Sequence, residues 1–219
     1  MNPSYFATWW FCQAAFRVYF RWHAYGLENV PRTGPCILAS NHVSFADPLL
    51  VSAGPYRDFQ FLARESLFRN PVVGAILRSW NVVPVDRDGG GAGGLKKILD
   101  HLLSGGGIGL FPEGTRTPDG RLLPARSGIG LAVIKSNCPV VPVRIFGGYE
   151  AFGRHTKWPR PWKIVVKYGR PLDFAALRAE ARTCSKPRLK MIYQEVADQL
   201  MAAIGKLEPC ADVTRFPPA

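Results

Sequence analysis

Two short polar segments interrupt this largely apolar chain, and each follows a run of residues typical of a buried β-strand. The histidine loop, NHVSFADP at residues 41–48, comes after the apolar run at 36–39. The arginine loop, LFPEGTRT at residues 110–117, overlaps the end of a second apolar run at 108–111. Loops at strand ends are where α/β folds gather their functional side chains. The pattern therefore predicts an α/β fold with an active site built from both loops.

The rest of the chain alternates between strand-like and helix-like segments, and 219 residues are enough for one such core. We expect a single-domain α/β fold with a mixed, mostly parallel sheet flanked by helices. The glycine-rich segment at 86–94 lacks the spacing of a dinucleotide-binding loop and is interpreted as a connection. The alternating strand at 163–168 should be half-exposed. Further strands are predicted at 59–62, 82–85 and 139–146, and helices at 71–78, 95–103, 127–136 and 187–207.

The histidine loop offers a base and a carboxylate. His42 and Asp47 are five residues apart, which on a continuous helix would leave them about 140° out of phase. Pro48 breaks such a helix, because the residue before a proline is pushed out of the α conformation and proline suits a first helical turn. We expect Asp47 to cap a short helix at 48–52, with His42 folded back so that one ring nitrogen remains a base. The alternative is a capping aspartate beside a packed histidine.

The arginine loop has the composition of an anion-binding turn. Glu113 and Arg116 flank Gly114 and Thr115 at a sharp turn. Glycine lets backbone N–H groups approach an anion, and the planar guanidinium matches phosphate oxygens. Taken alone, this loop is equally compatible with a surface turn that holds a Glu–Arg pair. The presence of both loops in this order favours one combined site.

Four segments of the chain match, in order, the sequence blocks of one known family. The histidine loop has the form His-x-x-x-x-Asp, and FLARESLF at 61–68 runs into PVVG at 71–74. FPEGTRT at 111–117 forms a third block, and VVPV at 140–143 a fourth, read as a buried strand with a proline. Over residues 25–170 the chain thus resembles the glycerolphosphate and lysophosphatidate acyltransferases.

The resemblance implies a role for each matched residue. His42, held by Asp47, would be the catalytic base, and Arg64, where many members carry lysine, would hold the acceptor phosphate together with Arg116. No metal or redox cofactor is implied, and Ser44 lacks the context of a nucleophilic serine. The resemblance further implies substrate contacts for Ser44, Glu65, Glu113, Gly114 and Thr115, with Glu113 orienting either a polar group of the acceptor or its own loop.

The reaction implied is transfer of a fatty acyl group from a thioester, acyl-CoA or acyl carrier protein, to the free hydroxyl of lysophosphatidate. The product would be phosphatidate, for phospholipid synthesis. A lyso-aminolipid or glycerolphosphate acceptor stays open, as does a non-catalytic lipid-binding protein. A hydrolase using the same His42 and Asp47 is a further alternative, although no nucleophile elbow supports it. The presence of both residues favours an enzyme.

The net charge of +12 indicates an anionic partner. No nucleic-acid-binding motif is visible, so an anionic lipid surface or a phosphorylated substrate is favoured. Between Glu150 and Asp173 the chain has basic residues and no acidic one. This stretch is either a solvated basic face or a surface for anionic headgroups or for the phosphates of coenzyme A. Five cysteines without metal-ligand spacing indicate reduced thiols in a cytosol-facing protein.

The first 22 residues are unusually rich in aromatic side chains, which are typical of a membrane–water interface. The apolar run at 5–20 is shorter than the roughly 20 residues needed to cross hydrocarbon, and Arg17 interrupts it. Gln13, Arg17 and Arg21 should form its one polar stripe. We expect residues 1–24 to form an interfacial helix on the cytoplasmic face of the cell membrane and residues 25–219 to form the acyltransferase domain. The alternative is a helix buried against the domain.

Overall fold

The structure is a computed structural model that describes residues 3–85 and 92–209. It has a seven-stranded sheet covered by helices, which confirms the predicted fold class. Of the predicted connection at 86–94, residues 86–91 lie outside the described residues. The strands are β1 His23–Tyr25, β2 Cys36–Ser40, β3 Gln60–Arg64, β4 Val82–Val85, β5 Gly107–Leu110, β6 Val140–Phe146 and β7 Val165–Tyr168. The helices are α1 Pro3–Tyr19, α2 Asp47–Ser52, α3 Pro71–Ser79, α4 Ala92–Leu103, α5 Gly128–Ser136, α6 Gly148–Phe152, α7 Ala175–Glu180 and α8 Lys186–Lys206, with short 3₁₀ helices at Leu27–Asn29 and Glu65–Arg69.

The sheet order is β1-β7-β6-β2-β5-β3-β4, and β2, every residue of which is buried, lies at its centre. Strands β6, β2, β5, β3 and β4 run parallel, whereas β7 is antiparallel to β6 and β1 is parallel to β7. Ala39 of β2 is paired in register with Leu110 of β5. Because these two strands are neighbours and point the same way, the histidine and arginine loops emerge side by side at one edge of the sheet.

Two apolar cores cover the two faces of the sheet, as the alternation of side chains along β2 requires. Cys36 and Leu38 face the first core, which includes residues of α1, α2 and α6. Ile37 and Ala39 face the second core, which is filled by residues of α4, α5 and α8. Each loop that follows β2 and β5 is therefore anchored by strands that are buried on both faces.

Helix α1 packs against the first core through one side, with Tyr5, Trp9 and Phe16 buried. The predicted polar stripe is wrong at Gln13, which faces inward and donates its amide N–H to the Ala53 carbonyl at 2.6 Å. The boundary predicted after residue 24 falls inside β1, which pairs with β7. Among the described residues, no helix combines the length and the apolar character that a membrane crossing requires.

The alternating segment at 163–168 is less exposed than its sequence suggests. The observed strand is β7, in which Val165, Val166 and Tyr168 are buried. The prediction of a half-exposed strand is wrong because β1 pairs with the outer edge of β7, and Phe20 belongs to the same apolar core as Val166.

Candidate active site

His42 and Asp47 form a hydrogen-bonded pair, as their spacing around Pro48 predicts. The His42 Nδ1 atom lies 2.8 Å from Asp47 Oδ2. The same carboxylate oxygen accepts the backbone N–H groups of Val43 at 2.7 Å and Ser44 at 2.8 Å. Asp47 is the first residue of α2 rather than its cap, so its carboxylate is free to organise the preceding loop.

Burial determines the electrostatics of this pair. Asp47 is fully buried, which raises the pKa of its carboxyl group, while the hydrogen bonds from His42 and from the two backbone N–H groups lower it. Its second oxygen, Oδ1, is buried without a hydrogen-bond partner among the described residues. When Asp47 is ionised, His42 carries its proton on Nδ1, which leaves Nε2 as the basic nitrogen.

Phe111 holds the His42 ring from one side, a contact that the sequence analysis missed. The two rings are stacked, with centroids 4.0 Å apart and planes inclined by 14°. Phe111 directly follows β5, so its position depends on the pairing of β5 with β2. The one signal in the sequence is an aromatic residue immediately before Pro112.

Glu113 joins the two loops. It is buried, and its Oε1 accepts the His42 backbone N–H at 3.0 Å while its Oε2 accepts that of Leu123 at 3.3 Å. A second bond runs the other way, from the Thr117 N–H to the His42 carbonyl at 2.8 Å. Burial raises the pKa of Glu113 to about 7. Both oxygens thus accept backbone N–H groups, which favours the loop-orienting alternative for Glu113 over a contact with the acceptor.

Ser44 has a similar internal role. Its side chain is fully buried, and its hydroxyl accepts the Ala46 N–H at 3.0 Å. The expected contact with substrate is therefore replaced by a bond that shapes the histidine loop. Asn41, which sequence reasoning passed over, accepts the Ile145 N–H at 2.8 Å and donates to the Ile145 carbonyl at 3.2 Å. It extends the pairing of β2 with β6 past the strand end and so fixes the start of the loop.

A pocket of ≈ 410 Å³ opens at this edge of the sheet. His42 lies in it together with Arg64, Thr115, Arg116 and Arg154. The remaining lining is largely apolar, an apolar wall formed by Phe45, Phe61, Leu62, Leu67, Leu77 and Phe111. A base, several cations and an apolar wall in one pocket suit an amphiphilic molecule with an anionic head.

The arginine loop places its cation in the pocket. The Arg116 guanidinium carbon lies 3.4 Å from the centroid of the Phe45 ring. Burial and the neighbouring Arg154 lower the pKa of Arg116, and its Nη1 is buried without a hydrogen-bond partner among the described residues. Gly114 adopts a φ of 67°, and a side chain there would also meet Arg126.

The second matched block contributes from β3. Arg64 is the last residue of that strand and lines the pocket. Glu65 follows at the start of the 3₁₀ helix, where it is exposed and is not among the residues that line the pocket. Of the sequence-predicted residues, the pocket therefore brings together His42, Arg64, Thr115 and Arg116, with Asp47 behind the histidine.

Comparison with known proteins places this chain among acyltransferases. A family model described as Acyltransferase matches residues 21–146. The "1-acyl-sn-glycerol-3-phosphate acyltransferase BAT2, chloroplastic" of Brassica napus is 36% identical over 126 residues, which are 56% of this chain and 36% of that protein. The chain thus spans about a third of the length of this plant relative. The 1-acyl-sn-glycerol-3-phosphate acyltransferase of Bacillus subtilis is 29% identical over 192 residues, 84% of this chain and 88% of that protein.

A solved structure has the same fold over almost the whole chain. The crystal structure of the 1-acyl-sn-glycerophosphate (LPA) acyltransferase PlsC from Thermotoga maritima superposes with a TM-score of 0.71 at 26% sequence identity. The match covers 94% of this chain and 81% of that one. It therefore extends well beyond the region matched by the family model.

Proposed function

Because the chain belongs to the acyltransferase family, as the match over residues 21–146 shows, we propose that it transfers a fatty acyl group from a thioester donor to the free hydroxyl of lysophosphatidate. The product is phosphatidate. The names of the plant and Bacillus relatives and of the Thermotoga protein support this acceptor. The observation that carries the proposal is that His42, hydrogen-bonded to Asp47, lines one pocket with Arg64 and Arg116.

His42 acts as general base and then as general acid. Its Nε2 takes the proton of the acceptor hydroxyl as that oxygen attacks the thioester carbonyl carbon, and Asp47 stabilises the resulting imidazolium. When the carbon–sulfur bond breaks, the imidazolium returns the proton to the departing thiolate. No acyl-enzyme is needed, because the acceptor oxygen attacks the donor directly.

The pocket orients the acceptor. Arg116 and Arg64 bind its phosphate through charge-assisted hydrogen bonds, and the apolar wall of the pocket holds its acyl chain. The donor is a thioester of coenzyme A or of acyl carrier protein, and both present the same carbonyl group to His42.

We also propose that the protein works at an anionic membrane surface. Helix α1 exposes Trp10, Phe11 and Val18, and the neighbouring α3 exposes Val72 and Ile76. Apolar side chains on two adjacent helices, with exposed arginines at 17, 69 and 78 beside them, match the chemistry of an anionic bilayer interface. Leu67 is itself exposed and lines the pocket, which gives a lipid a short path from that interface to His42.

The cytoplasmic face is the side that we propose. Cys12, Cys36, Cys138 and Cys184 are free thiols, and the first three are buried. Unpaired cysteines fit a reducing compartment.

The experiment that tests the function is an acyl-transfer assay on a panel of acceptors. Purified protein is incubated with a radiolabelled acyl donor, either acyl-CoA or the thioester of acyl carrier protein. Separate reactions contain lysophosphatidate, glycerol 3-phosphate, lysophosphatidylcholine or no acceptor. We expect label in phosphatidate when lysophosphatidate is supplied. Label found only in another product would identify a different acceptor, and label found only in free fatty acid would indicate a hydrolase. No transfer to any acceptor would contradict an acyltransferase function.

A further inference from the structure

Arg154 lies outside all four matched segments, yet its side chain reaches the pocket of His42. It follows α6 and lines the pocket with Arg64 and Arg116. Its Nη2 donates to the Thr115 hydroxyl oxygen at 2.7 Å. Of the basic residues between Glu150 and Asp173, it is the one whose side chain lines the pocket.

The backbone around Arg154 is fixed to the histidine loop. The Phe45 N–H donates to the Phe152 carbonyl at 3.1 Å, and the rings of these two residues pack with centroids 5.0 Å apart. Thr156 closes the following turn, with its hydroxyl donating to the Gly153 carbonyl at 3.0 Å. Arg154 is thereby presented to the pocket from a short turn that is hydrogen-bonded on both sides.

Arg116 and Arg154 place two like charges near one another. Arg154 contributes to lowering the pKa of Arg116, so the two guanidinium groups repel. The Asp47 carboxylate acts the other way and raises the pKa of Arg116, but its Oδ2 already accepts three hydrogen bonds. Arg116 Nη1 is buried and has no partner among the described residues. Two neighbouring guanidinium groups, one of them with an N–H donor that has no acceptor, are energetically costly without a ligand. They favour binding of a multiply charged anion.

We propose that Arg154 and Arg116 form a two-arginine clamp for the acceptor phosphate and that Arg154 sets the preference for a phosphate monoester. This inference rests on the proposed function. A monoester carries a charge of about −1.5 to −2 at neutral pH, whereas the diester of a lysophospholipid with a larger headgroup carries a single negative charge on its phosphate. The second arginine therefore stabilises the monoester more. Thr115 positions the guanidinium of Arg154 through its hydroxyl.

The test compares Arg154→Gln and Arg154→Lys with two matched controls from the same basic stretch. Lys157→Gln and Arg160→Gln each remove an exposed charge that does not line the pocket. For each protein, kcat and KM are measured for lysophosphatidate, for lysophosphatidylglycerol as the diester, and for acyl-CoA. Circular dichroism melting curves confirm that every variant folds.

We expect Arg154→Gln to raise the KM for lysophosphatidate about tenfold or more, the effect of losing a hydrogen bond between charged groups. The KM for acyl-CoA and the kcat should stay near those of the controls, the preference for the monoester should shrink, and Arg154→Lys should recover part of it. The inference is overturned if Arg154→Gln has the same acceptor KM as Arg160→Gln. It is equally overturned if the KM for acyl-CoA rises instead, which would place Arg154 on the phosphates of the donor.

Binding of lysophosphatidate without any donor separates this inference from the proposed function. We expect wild-type protein to bind monomeric short-chain lysophosphatidate in calorimetry and Arg154→Gln to bind it more weakly. If that difference appears but no acyl transfer occurs, the clamp stands and the proposed function fails. If acyl transfer occurs but the two proteins bind equally, the clamp fails and the proposed function stands.

Discussion

At the scale of single residues, His42 is held by more than its carboxylate partner. Its ring nitrogen bonds to Asp47, its backbone N–H to Glu113, and its carbonyl to the Thr117 N–H. The ring also stacks on Phe111. Two contacts fix the His42 side chain and two fix its backbone, so the position of Nε2 is set before substrate arrives, which is the condition for efficient general-base catalysis.

The first prediction concerns the base. His42→Ala should lower turnover by about a hundredfold or more, because the acceptor hydroxyl loses its proton acceptor. Circular dichroism should show an unchanged fold, since His42 is half-buried and contributes no large apolar side chain to either core. His23→Ala, at an exposed position on β1, is the matched control and should remain active. Near-normal turnover by His42→Ala would contradict the mechanism.

The second prediction concerns Glu113. Glutamine keeps the shape but has only one oxygen, so Glu113→Gln leaves one of the two backbone N–H groups, of His42 or Leu123, without its acceptor. We expect a lower kcat with little change in the KM for the acceptor, because the base moves while the arginines stay. A raised acceptor KM at unchanged kcat would instead indicate a direct contact with substrate.

The pKa of Glu113 gives an independent check of its burial. Its ordinary value is 4.5, and burial raises it to about 7. Between these two pH values the unfolded chain has released the proton and the folded protein still holds it, so this group makes stability fall as pH rises. Urea unfolding of wild type and Glu113→Gln should therefore show that the free energy of unfolding of the wild type falls, relative to that of the variant, steadily from pH 4.5 to 7. A constant difference across that window would mean that the pKa is not raised.

At the scale of elements, α1 has one side buried against the domain and another side exposed and apolar. Tyr5, Trp9 and Phe16 pack into the first core, while Trp10 and Phe11 face outward. Deleting the helix would expose a core face, so deletion cannot separate membrane binding from folding. Substituting the outward residues can.

The third prediction therefore uses outward substitutions. Trp10→Ser with Phe11→Ser, and separately Val72→Ser with Ile76→Ser, should each weaken binding to vesicles of anionic phosphatidylglycerol, the first pair by about tenfold or more because two large side chains lose their apolar contact. Activity on acceptor in bilayers should fall, and activity on monomeric short-chain acceptor should persist. Leu103→Ser, equally exposed but on α4, is the control.

Sedimentation of the protein with the vesicles measures this binding. If both pairs bind as wild type does, the membrane surface lies elsewhere. The basic stretch between Glu150 and Asp173 would then be tested next.

Sequence patterns predicted the positions of most helices and strands, but they predicted fewer of the contacts between these elements. The strand at 82–85 was predicted with its observed limits, and the helix at 71–78 to within one residue, because a proline at its start marks the first turn. β1 was missed, since three residues carry no usable alternation. The burial of β7 was misjudged because β1 and Phe20, which account for it, are far away in the chain.

The site shows the same limit at residue level. Pro48 indicates that the chain turns between His42 and Asp47, so their contact can be predicted from eight consecutive residues. A sequence does not show which polar groups are buried and already bonded, so at Glu113 and Ser44 it does not distinguish a substrate contact from a bond that shapes the loop. Arg154 could not be assigned, because it bonds to Thr115 at a sequence separation of 39 residues and depends on the position of α6 to reach it.

At the scale of the whole molecule, the two cores share one sheet. Leu38 and Ile37 are neighbours on β2, yet they belong to opposite cores. Helix α8 lies beyond the region matched by the family model and fills the second core with Ile192, Leu200 and Ile204, all fully buried. The matched region by itself therefore does not contain all the side chains that bury its sheet.

The fourth prediction tests this dependence. Leu200→Ala should lower the free energy of unfolding by about 2–5 kcal/mol, the usual result of emptying a core position. Met191→Ala, exposed on the same helix, should change it little. Urea unfolding followed by tryptophan fluorescence and by circular dichroism should give coincident transitions. Separate transitions would show that the two faces unfold independently.

The arrangement of strands also separates the His42–Asp47 pair from part of the pocket lining. His42, Asp47, Asn41 and Glu113 belong to the loops after β2 and β5, at the centre of the sheet, and they bond mainly to one another and to backbone. Arg64 and Leu67, which line the pocket, come from β3 and the segment after it, nearer the sheet edge. On the proposed function, we expect substitutions along that edge to change how the acyl chain of the acceptor is held while the hydrogen bond between His42 and Asp47 stays in place. The acceptor preference could in this sense be redesigned, and a library of variants confined to residues 64–77 is where an engineer would begin.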